Sequence, residues 1–361
     1  MKRFLTFLKN FLFGNTSSKT WKYLRSFLLF LLISAASILG VMLFYKGGLD
    51  FTHVTWHAVI IAGALSLSSL YFETERVRLI ARTMKERIPY KPALESVMGR
   101  EFLSAITPFG SGGQPLGIYI LTKYGFKLGF AITISYLETF YSLLMLFLGG
   151  LISLIFYSEV LQSSVLIWFL VWSFGAMLYF FFFSYFSISK PKLLKKIGLA
   201  LVNFLHRVKI IKPHKLHTIK IHIIREIQVF NQHIHGSIRS HWLLIIGMFL
   251  VTFILWVLRF AAIYPIVLAL GYNISLIELV AYQMIITSVN YFSFTPGSSG
   301  TTDWLGAALF GIFIVNKDSI PTFITLWRFF SYHIIIFVCG IVIFRVVHLF
   351  GQQKKTEGVN K

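Results

Sequence analysis

Apolar runs of about 20 residues constrain the fold of this chain more than any other feature of its sequence. Such a run is long enough to cross the hydrocarbon core of a bilayer as an α-helix. Of the 361 residues, 56% are hydrophobic and 13% are charged, whereas about a quarter of a soluble domain is charged. We therefore expect an all-α, polytopic membrane protein. Its six predicted spans are residues 24–45, 54–72, 128–157, 164–186, 242–270 and 320–350.

Two further apolar regions, residues 93–123 and 274–315, are each interrupted by a stretch rich in Gly and Pro. These stretches are TPFGSGGQPLG from Thr107 and TPGSSGTTDWLG from Thr295. They share Thr-Pro, a Gly/Ser loop and a closing Leu-Gly. Because Gly and Pro are unfavourable inside a helix, each region should fold as two short helices joined by a loop. We predict two re-entrant helical hairpins that form an inverted pseudo-repeat, as in transporters that bind substrate near the bilayer midplane.

Positive charge predicts the orientation of the chain. Residues 1–25 carry six Lys or Arg and no acid, and residues 188–241 carry eleven against the single acid Glu226. Cytoplasmic segments collect Lys and Arg, so both segments should be cytoplasmic, together with residues 73–100 and the tail containing Lys354, Lys355 and Lys361. The short links, residues 158–163 among them, then fall outside. We expect a multi-pass protein of the cell membrane with a basic cytoplasmic N-terminus (1–23), a single membrane domain (24–350) and a basic cytoplasmic tail (351–361).

The two Gly-rich stretches are the predicted substrate site, because a helix N-terminus near mid-membrane attracts anions. Pro115 suits the first turn of a helix, so the amides of residues 110–113 should face such a terminus. In the second stretch, Thr301 or Thr302 could cap a helix that begins with Asp303, so this loop would carry its own negative charge. The alternative is that the glycines only permit close packing of helices.

Several ionisable residues lie within apolar sequence, where charges are costly and usually face a cavity or a partner. They are Glu138, Arg259, Glu278, Asp303 and Arg328. Arg328 is the first candidate for a phosphate contact, because guanidinium offers two-point hydrogen bonding. Glu138 could pair with Arg328, carry a proton or meet a cationic headgroup, and a structural ion pair is the alternative for each residue. The predicted substrate-binding residues are Thr107, Gly110, Ser111, Gly112, Gly113, Gln114, Glu138, Thr295, Gly297, Ser298, Ser299, Gly300, Asp303 and Arg328.

The long basic segment, residues 188–241, contains two apolar series at helical spacing. They predict amphipathic helices that lie on anionic lipid. The first series is Leu194, Ile197, Leu201, Leu205 and Val208, and the second is Leu216, Ile219, Ile223, Ile227, Phe230 and Ile234. Seven histidines share this segment, but no carboxylate or cysteine clusters with them, so we expect no metal site.

Signatures of soluble enzymes are missing from the sequence. The glycine stretches contain neither a G-K-[ST] phosphate loop nor a G-x-S-x-G elbow, and the single Cys339 offers no thiol cluster. The Lys and Arg residues that give the net charge of +21 lie in the segments between apolar stretches. Anionic membrane lipids are therefore the expected partners, and nucleic acid is not. A separate aminoacyl transferase or glycosyltransferase is a further candidate partner, and a second copy of the chain, in a homo-oligomer, is another. No cofactor is expected.

The two hairpins and the helices that follow them resemble a known family. ITPFGSGGQPLGIYILTKYGF followed by SYLET, and FTPGSSGTTDWLGAALF followed by LWRFFSYHIIIFVCG, are similar to the lysylphosphatidylglycerol synthase transmembrane, or flippase-like, family over residues 73–340. The resemblance implies functional roles for the Gly-rich loops, Glu138 and Arg328. Asp303 stands where a Glu is more usual. Larger members add a cytoplasmic domain that transfers lysine from lysyl-tRNA to phosphatidylglycerol, and we expect this chain to lack it.

The favoured function is therefore transport rather than catalysis. The resemblance implies translocation of lysyl-phosphatidylglycerol, another anionic or aminoacylated phospholipid, or a polyprenyl-phosphate lipid between leaflets, with resistance to cationic antimicrobial peptides as a consequence. One alternative is a phosphatidylglycerol lysyltransferase or its membrane subunit. Another is a membrane scaffold for the synthesis of envelope polysaccharide.

Overall fold

The computed structural model describes residues 19–157, 164–208, 213–291, 293, 295–314 and 316–343. Helices and turns make up the described residues, and no strand occurs among them, which confirms the all-α prediction. Outside the described residues lie most of the predicted basic N-terminus, the link 158–163, and the tail with Lys354, Lys355 and Lys361.

The helices follow one another along the chain with short connections. The first six are α1 Lys19–Tyr45, α2 Trp56–Thr83, α3 Tyr90–Ile106, α4 Gly113–Lys123, α5 Leu128–Phe156 and α6 Ser164–Ser189. The next seven are α7 Pro191–Arg207, α8 Pro213–Ile238, α9 Trp242–Ala261, α10 Tyr264–Ala269, α11 Leu276–Asn290, α12 Thr301–Phe310 and α13 Ile320–Arg328. A π-helical turn, Phe329–His333, follows α13, and helical conformation then continues to Ile343.

Within the part of the chain that the structure describes, four helical segments are long and apolar enough to cross a membrane. They are Leu128–Phe156, Leu166–Ser189, Trp242–Ala269 and Lys317–Ile343, and they match four of the six predicted spans. The polytopic membrane class is thus supported, while the exact number of spans and hairpins stays a prediction. The predicted span 54–72 belongs to α2, which does not end at its first charged residue but continues to Thr83.

The described residues fall into two compact units. Unit 1 draws on Met1–Ser68, Met98–Leu116 and Leu258–Lys361, and unit 2 draws on Ser69–Val97 and Gly117–Val257. The prediction of a single membrane domain is a statement about the whole chain, and it stays a prediction.

Unit 1 is built around α13. This helix packs against α1 and α12, and α12 packs in turn against α11 and α1. The core is aromatic: the ring of Phe310 lies 4.9 Å from that of Trp327 and 5.0 Å from that of Phe323. Gly306 permits this contact, because a Cβ at that position would lie 2.5 Å from the Trp327 ring. The loop after α1 is tied to the start of α13, where Thr322 Oγ1 accepts a hydrogen bond from the Asp50 amide at 2.9 Å.

Unit 2 contains α5 to α8, in which α8 packs on both α7 and α5. Gly129, near the start of α5, lets α8 approach closely, since a Cβ there would lie 2.8 Å from the carbonyl oxygen of Glu226. The Glu226 carboxylate accepts a hydrogen bond from the Gly129 amide at 2.6 Å. A carboxylate at a helix N-terminus is stabilised by the helix dipole. The one acid of the basic segment therefore serves as a cap for α5.

The two amphipathic series of the basic segment have different surroundings. Leu193, Ile197 and Leu201 on α7 are exposed, as expected for a helix that lies on lipid. On α8, by contrast, Ile234 is fully buried and the Phe230 ring packs on Tyr136 of α5. The apolar face of α8 is therefore covered by protein along this part, which corrects the expectation that both helices present it to lipid.

Candidate functional site

Two turns with the same backbone conformation lie in unit 1. The first turn is Pro108–Gly110 and the second turn is Pro296–Ser298. After the proline, Phe109 has φ 56° and ψ 14° in the first turn, and Gly297 has φ 62° and ψ 16° in the second. The next residue also has a positive φ in both turns: 61° at Gly110 and 53° at Ser298. The likeness seen between the two sequence stretches is thus a likeness of backbone structure.

Each turn is closed by an equivalent hydrogen bond. The Gly110 amide donates to the Thr107 carbonyl at 3.2 Å, and the Ser298 amide donates to the Thr295 carbonyl at 3.0 Å. A proline followed by a residue with positive φ is the order that favours a type II turn. A helix, α4 or α12, begins six residues after the threonine in both cases. Cα atoms of the two turns approach to within 8 Å, so the turns contact each other.

The first turn uses several of its own polar groups. The Gly112 amide donates to Thr107 Oγ1 at 3.0 Å, and Thr107 Oγ1 donates to the Leu103 carbonyl at 2.7 Å. Gly113 is buried against α3, where a Cβ would lie 1.8 Å from Ser104 Oγ. The alternative hypothesis, that the glycines permit close packing of helices, therefore explains Gly113. Ser111, which follows this turn, is exposed.

The helix that follows the second turn carries a carboxylate in its first turn, as predicted, but this helix begins at a different residue. α12 begins at Thr301 with Gly300 as its N-cap, so Asp303 is the third helical residue rather than the first. The Gly300 amide donates to Asp303 Oδ2 at 3.0 Å. Gly300 has φ 89°, a conformation that a threonine side chain disfavours, and this explains why the cap falls on the glycine.

Arg328 connects α13 to the second turn. Its Nε lies 2.7 Å from Asp303 Oδ1, and the two side chains are 5% and 0% exposed. Its Nη2 donates to the Gly297 carbonyl at 2.9 Å and to Ser299 Oγ at 3.4 Å. The guanidinium also lies 4.8 Å from the centre of the Tyr332 ring, a cation–π distance. A buried cation is thus held in place by the turn on one side and an aromatic face on another.

The π-helical turn after Arg328 is held by a histidine. His333 Nδ1 lies 2.9 Å from the Arg328 carbonyl oxygen, and Nε2 lies 2.8 Å from Ser34 Oγ on α1. Because a carbonyl oxygen only accepts, Nδ1 carries a proton and donates to it, and the second ring nitrogen shares a hydrogen bond with the Ser34 hydroxyl. π-Helical turns occur often at functional sites. Here the turn fixes the backbone at Arg328 to α1.

Arg259 and Gln283 also form polar contacts in unit 1. Arg259 Nη2 donates to Glu101 Oε2 at 3.0 Å, so Arg259 forms an ion pair instead of only reaching toward an interface. Gln283 donates to the Phe260 carbonyl at 2.8 Å and accepts from Trp327 Nε1 at the same distance. The amide of Gln283 therefore joins α11 to α9 and α13.

The remaining predicted residue, Glu138, lies in unit 2 on α5. Its Oε1 lies 3.8 Å from Nη2 of Arg76, and the same nitrogen lies 3.3 Å from Oε1 of Glu73. Arg76 Nη1 donates to Ser142 Oγ at 2.7 Å. All four side chains are buried. Arg76 is therefore an ionic partner of Glu138, while Arg328 has Asp303.

The comparison with known families decides where this chain belongs. The family described as "Lysylphosphatidylglycerol synthase TM region" matches residues 31–340. The chain belongs to this family. It is also similar to a protein of Archaeoglobus fulgidus described as a "UPF0104 membrane protein", with 25% identity over 291 residues. That alignment covers 78% of this chain and 84% of the relative.

In this member of the family, thirteen of the fourteen predicted site residues lie in unit 1, and Glu138 lies in unit 2. The structure adds residues that the sequence did not single out: Arg76 and Glu73 beside Glu138, and Tyr332, His333 and Ser34 around Arg328. The Glu73–Arg76 pair could have been found from its i, i+3 spacing. Tyr332 and His333 follow Arg328 by four and five residues on the same helical segment, so their contacts with it are local. The contacts of Arg76 with Glu138 and of His333 with Ser34 are long-range, and one sequence contains no signal for them.

Proposed function

We propose that this protein is a lipid translocase that moves a phospholipid or a polyprenyl-phosphate lipid with an anionic phosphate between leaflets. Aminoacylated phosphatidylglycerol, as in the family's description, is the first substrate to test. The observation that carries the proposal is the contact between the two matched turns next to buried Arg328. Broken helical hairpins that meet are the places where transporters bind substrate.

The ion pair of Arg328 and Asp303 suits a site that is alternately empty and occupied. An unpaired charge in a membrane protein is costly, so the resting cation is neutralised by the carboxylate of α12. An arriving phosphate takes over part of the guanidinium, which can form two parallel hydrogen bonds with phosphate oxygens. The acyl chains remain in the bilayer while the headgroup crosses.

The acidic residues give the site a way to hold a cationic headgroup. When phosphate engages Arg328, Asp303 loses part of its partner and becomes available to an ammonium group. A lysyl-phosphatidylglycerol headgroup carries both charges. It therefore matches an arginine–aspartate pair better than phosphatidylglycerol does.

Transport of labelled lipid into vesicles tests the proposal. The purified chain is reconstituted into liposomes with fluorescent phosphatidylglycerol, lysyl-phosphatidylglycerol or a polyprenyl phosphate in turn, and a membrane-impermeant quencher reports the fraction in the outer leaflet. We expect exchange well above that of empty vesicles for at least one of these lipids. Exchange at the level of empty vesicles for all of them would sink the proposal.

Arg328→Lys sharpens the test. Lysine keeps the charge but lacks the planar fork, so loss of two-point contact should lower the exchange rate about tenfold or more. Arg239→Lys is the matched control, because Arg239 is exposed at the end of the basic segment. Equal rates for both variants would exclude a phosphate contact at Arg328.

A second candidate follows from the family's description as part of a synthase. The chain would then present phosphatidylglycerol to a separate aminoacyl transferase. Liposomes containing the chain, with a soluble transferase and lysyl-tRNA, should then form lysyl-phosphatidylglycerol faster than liposomes without it. Lipid exchange without any transferase separates the two candidates.

A further inference from the structure

An apolar groove lies in unit 2 where α6 ends and α7 begins. It has a volume of about 230 Å³. One wall is a single face of α6, on which four aromatic residues recur at helical spacing, and the other wall is the start of α7. The groove is lined by Tyr179, Phe182, Phe183 and Phe186 from α6 and by Leu193 and Ile197 from α7, among others.

The groove continues into an uncovered apolar stripe along α7. Leu201, Phe204 and Val208 prolong the line of Leu193 and Ile197, and each of these side chains is between 39% and 59% exposed. The opposite side of α7 is covered by protein, because Gly198 packs on Ile227 of α8 and Val202 is buried. The stripe therefore faces away from the protein. An exposed apolar surface of this length is typical of a site that contacts another apolar molecule.

Cations border this apolar surface. Lys190, between α6 and α7, holds its ammonium 4.5 Å from the centre of the Phe186 ring, and Phe186 lines the groove. Lys192 and Lys196 lie on the polar side of α7, at angles on the helix away from the stripe. A helix with an exposed apolar stripe flanked by lysines is the pattern of a helix that lies at a membrane surface.

The position of the groove along the chain identifies the level at which it opens. The candidate span Leu166–Ser189 contains the whole α6 wall and ends one residue before Lys190. The aromatic wall is therefore at the depth of acyl chains, and Lys190 is at the depth of headgroups. Lipid is the apolar partner present at that depth, and the lysine favours an anionic headgroup.

We propose that this groove binds one acyl chain of an anionic phospholipid, whose phosphate is held by Lys190. The site serves as a docking point for α7 on the membrane and does not depend on the proposed translocation. All of its residues belong to unit 2. It predicts a lipid that stays with the protein and prefers phosphatidylglycerol to phosphatidylcholine.

Photo-crosslinking locates the lipid directly. The full chain is reconstituted into phosphatidylcholine vesicles with a trace of phosphatidylglycerol that carries a diazirine in the middle of one acyl chain. After irradiation, peptide mass spectrometry should place the label on residues 179–197. A phosphatidylcholine probe with the same chain should label this segment about fivefold less, since one lysine near an anionic headgroup is worth about that factor.

Three variants separate the two parts of the site. Lys190→Gln should remove the preference for the anionic probe, while Lys195→Gln, the same change of charge on the far side of α7, should keep it. Ser187→Phe fills the groove from within and should reduce labelling by both probes. If Ser187→Phe fails to fold, Ile197→Trp fills the groove from the α7 wall instead.

Several outcomes would overturn the proposal. These are equal labelling by the two probes, identical results for Lys190→Gln and Lys195→Gln, and label spread along α6 without enrichment at residues 179–197. Because crosslinking requires no transport, a protein that fails to translocate lipid can still pass this test. A protein that translocates lipid can still fail it.

Discussion

Arg328 and Asp303 form a buried ion pair, in which Nε and Oδ1 are 2.7 Å apart. Asp303 is fully enclosed and also accepts the Gly300 amide, so the pair joins α13 to the start of α12. Removing one partner of such a pair leaves an uncompensated buried charge, which is more costly than removing both. The pair is therefore open to a double-mutant cycle.

We expect Arg328→Gln and Asp303→Asn each to lower the free energy of unfolding by about 3–5 kcal/mol. The double variant leaves no buried charge at this place, so its cost should be smaller than the sum of the two single costs by about 2 kcal/mol. Unfolding in detergent micelles, followed by circular dichroism, measures all three variants. Costs that simply add would show that the two side chains do not interact.

Gly113 is where close packing at the first turn can be tested. In Gly113→Ala the new Cβ would lie 1.8 Å from Ser104 Oγ and 2.6 Å from the Arg100 carbonyl oxygen. The backbone of α3 cannot yield as a flexible side chain does, so we expect a loss of stability of about 2 kcal/mol. Gly48→Ala is the control, because a Cβ there meets nothing within 4 Å. A thermal shift assay on both variants decides whether the glycine is needed for packing.

Phe109 tests the backbone of the first turn. Its side chain is 59% exposed, so truncation removes little packing, but its φ of 56° suits glycine. We expect Phe109→Gly to be more stable than Phe109→Ala by about 1 kcal/mol, because alanine pays the left-handed strain. In an ordinary helix the order of the two variants is reversed. Unfolding curves of the two variants, measured side by side, give the sign of this difference. The contacts of the Phe109 ring are lost in both variants, so they cancel in the comparison.

The turns could be predicted because their chemistry is local. Thr-Pro followed by residues such as Gly297 specifies a turn from covalent geometry alone. The register of α12 was not predicted, since both Gly300 and Thr301 suit an N-cap and only the positive φ of Gly300 decides between them. Local rules thus located the two turns and the start of α12 to within a residue or two.

The partners of the charged residues could not be predicted in the same way. Hydropathy ended the second span at residue 72, which assigned Arg76 to a basic cytoplasmic segment, whereas α2 continues to Thr83. Glu138 lies 62 residues farther along the chain, and nothing in one sequence brings the two together. Similarly, an apolar stripe on α8 indicates burial but not whether lipid or protein covers it. The structure decides the question, because α8 approaches α5 closely at Gly129 and protein therefore covers the stripe there.

Arg76 should matter more to stability than either carboxylate beside it. Glu138→Gln leaves Arg76 with Glu73 at 3.3 Å, whereas Arg76→Gln removes a guanidinium that both carboxylates share. We expect Arg76→Gln to cost about 3 kcal/mol or more and Glu138→Gln about 1 kcal/mol. Denaturation in micelles compares the two variants. A larger loss for Glu138→Gln would show that the carboxylate, and not the arginine, is the centre of this cluster.

The pH dependence of stability should contain a contribution from His233 on α8. Its ring packs 5.2 Å from that of Phe130, and burial lowers the pKa of His233, an effect that Lys127 reinforces and Glu86 opposes. In the unfolded chain the pKa of a histidine is about 6.5, so below that pH the unfolded state binds more protons than the folded state. The stability that the neutral His233 ring contributes is fully present above about pH 6.5 and is lost as the pH falls toward the lower pKa of the folded state.

His233→Gln should therefore flatten the decrease in the unfolding midpoint between about pH 7.5 and 5.5. His235→Gln, at an exposed position on the same helix, should leave that decrease as it is in the natural chain. If the two variants have the same pH profile, the decrease arises from groups other than His233.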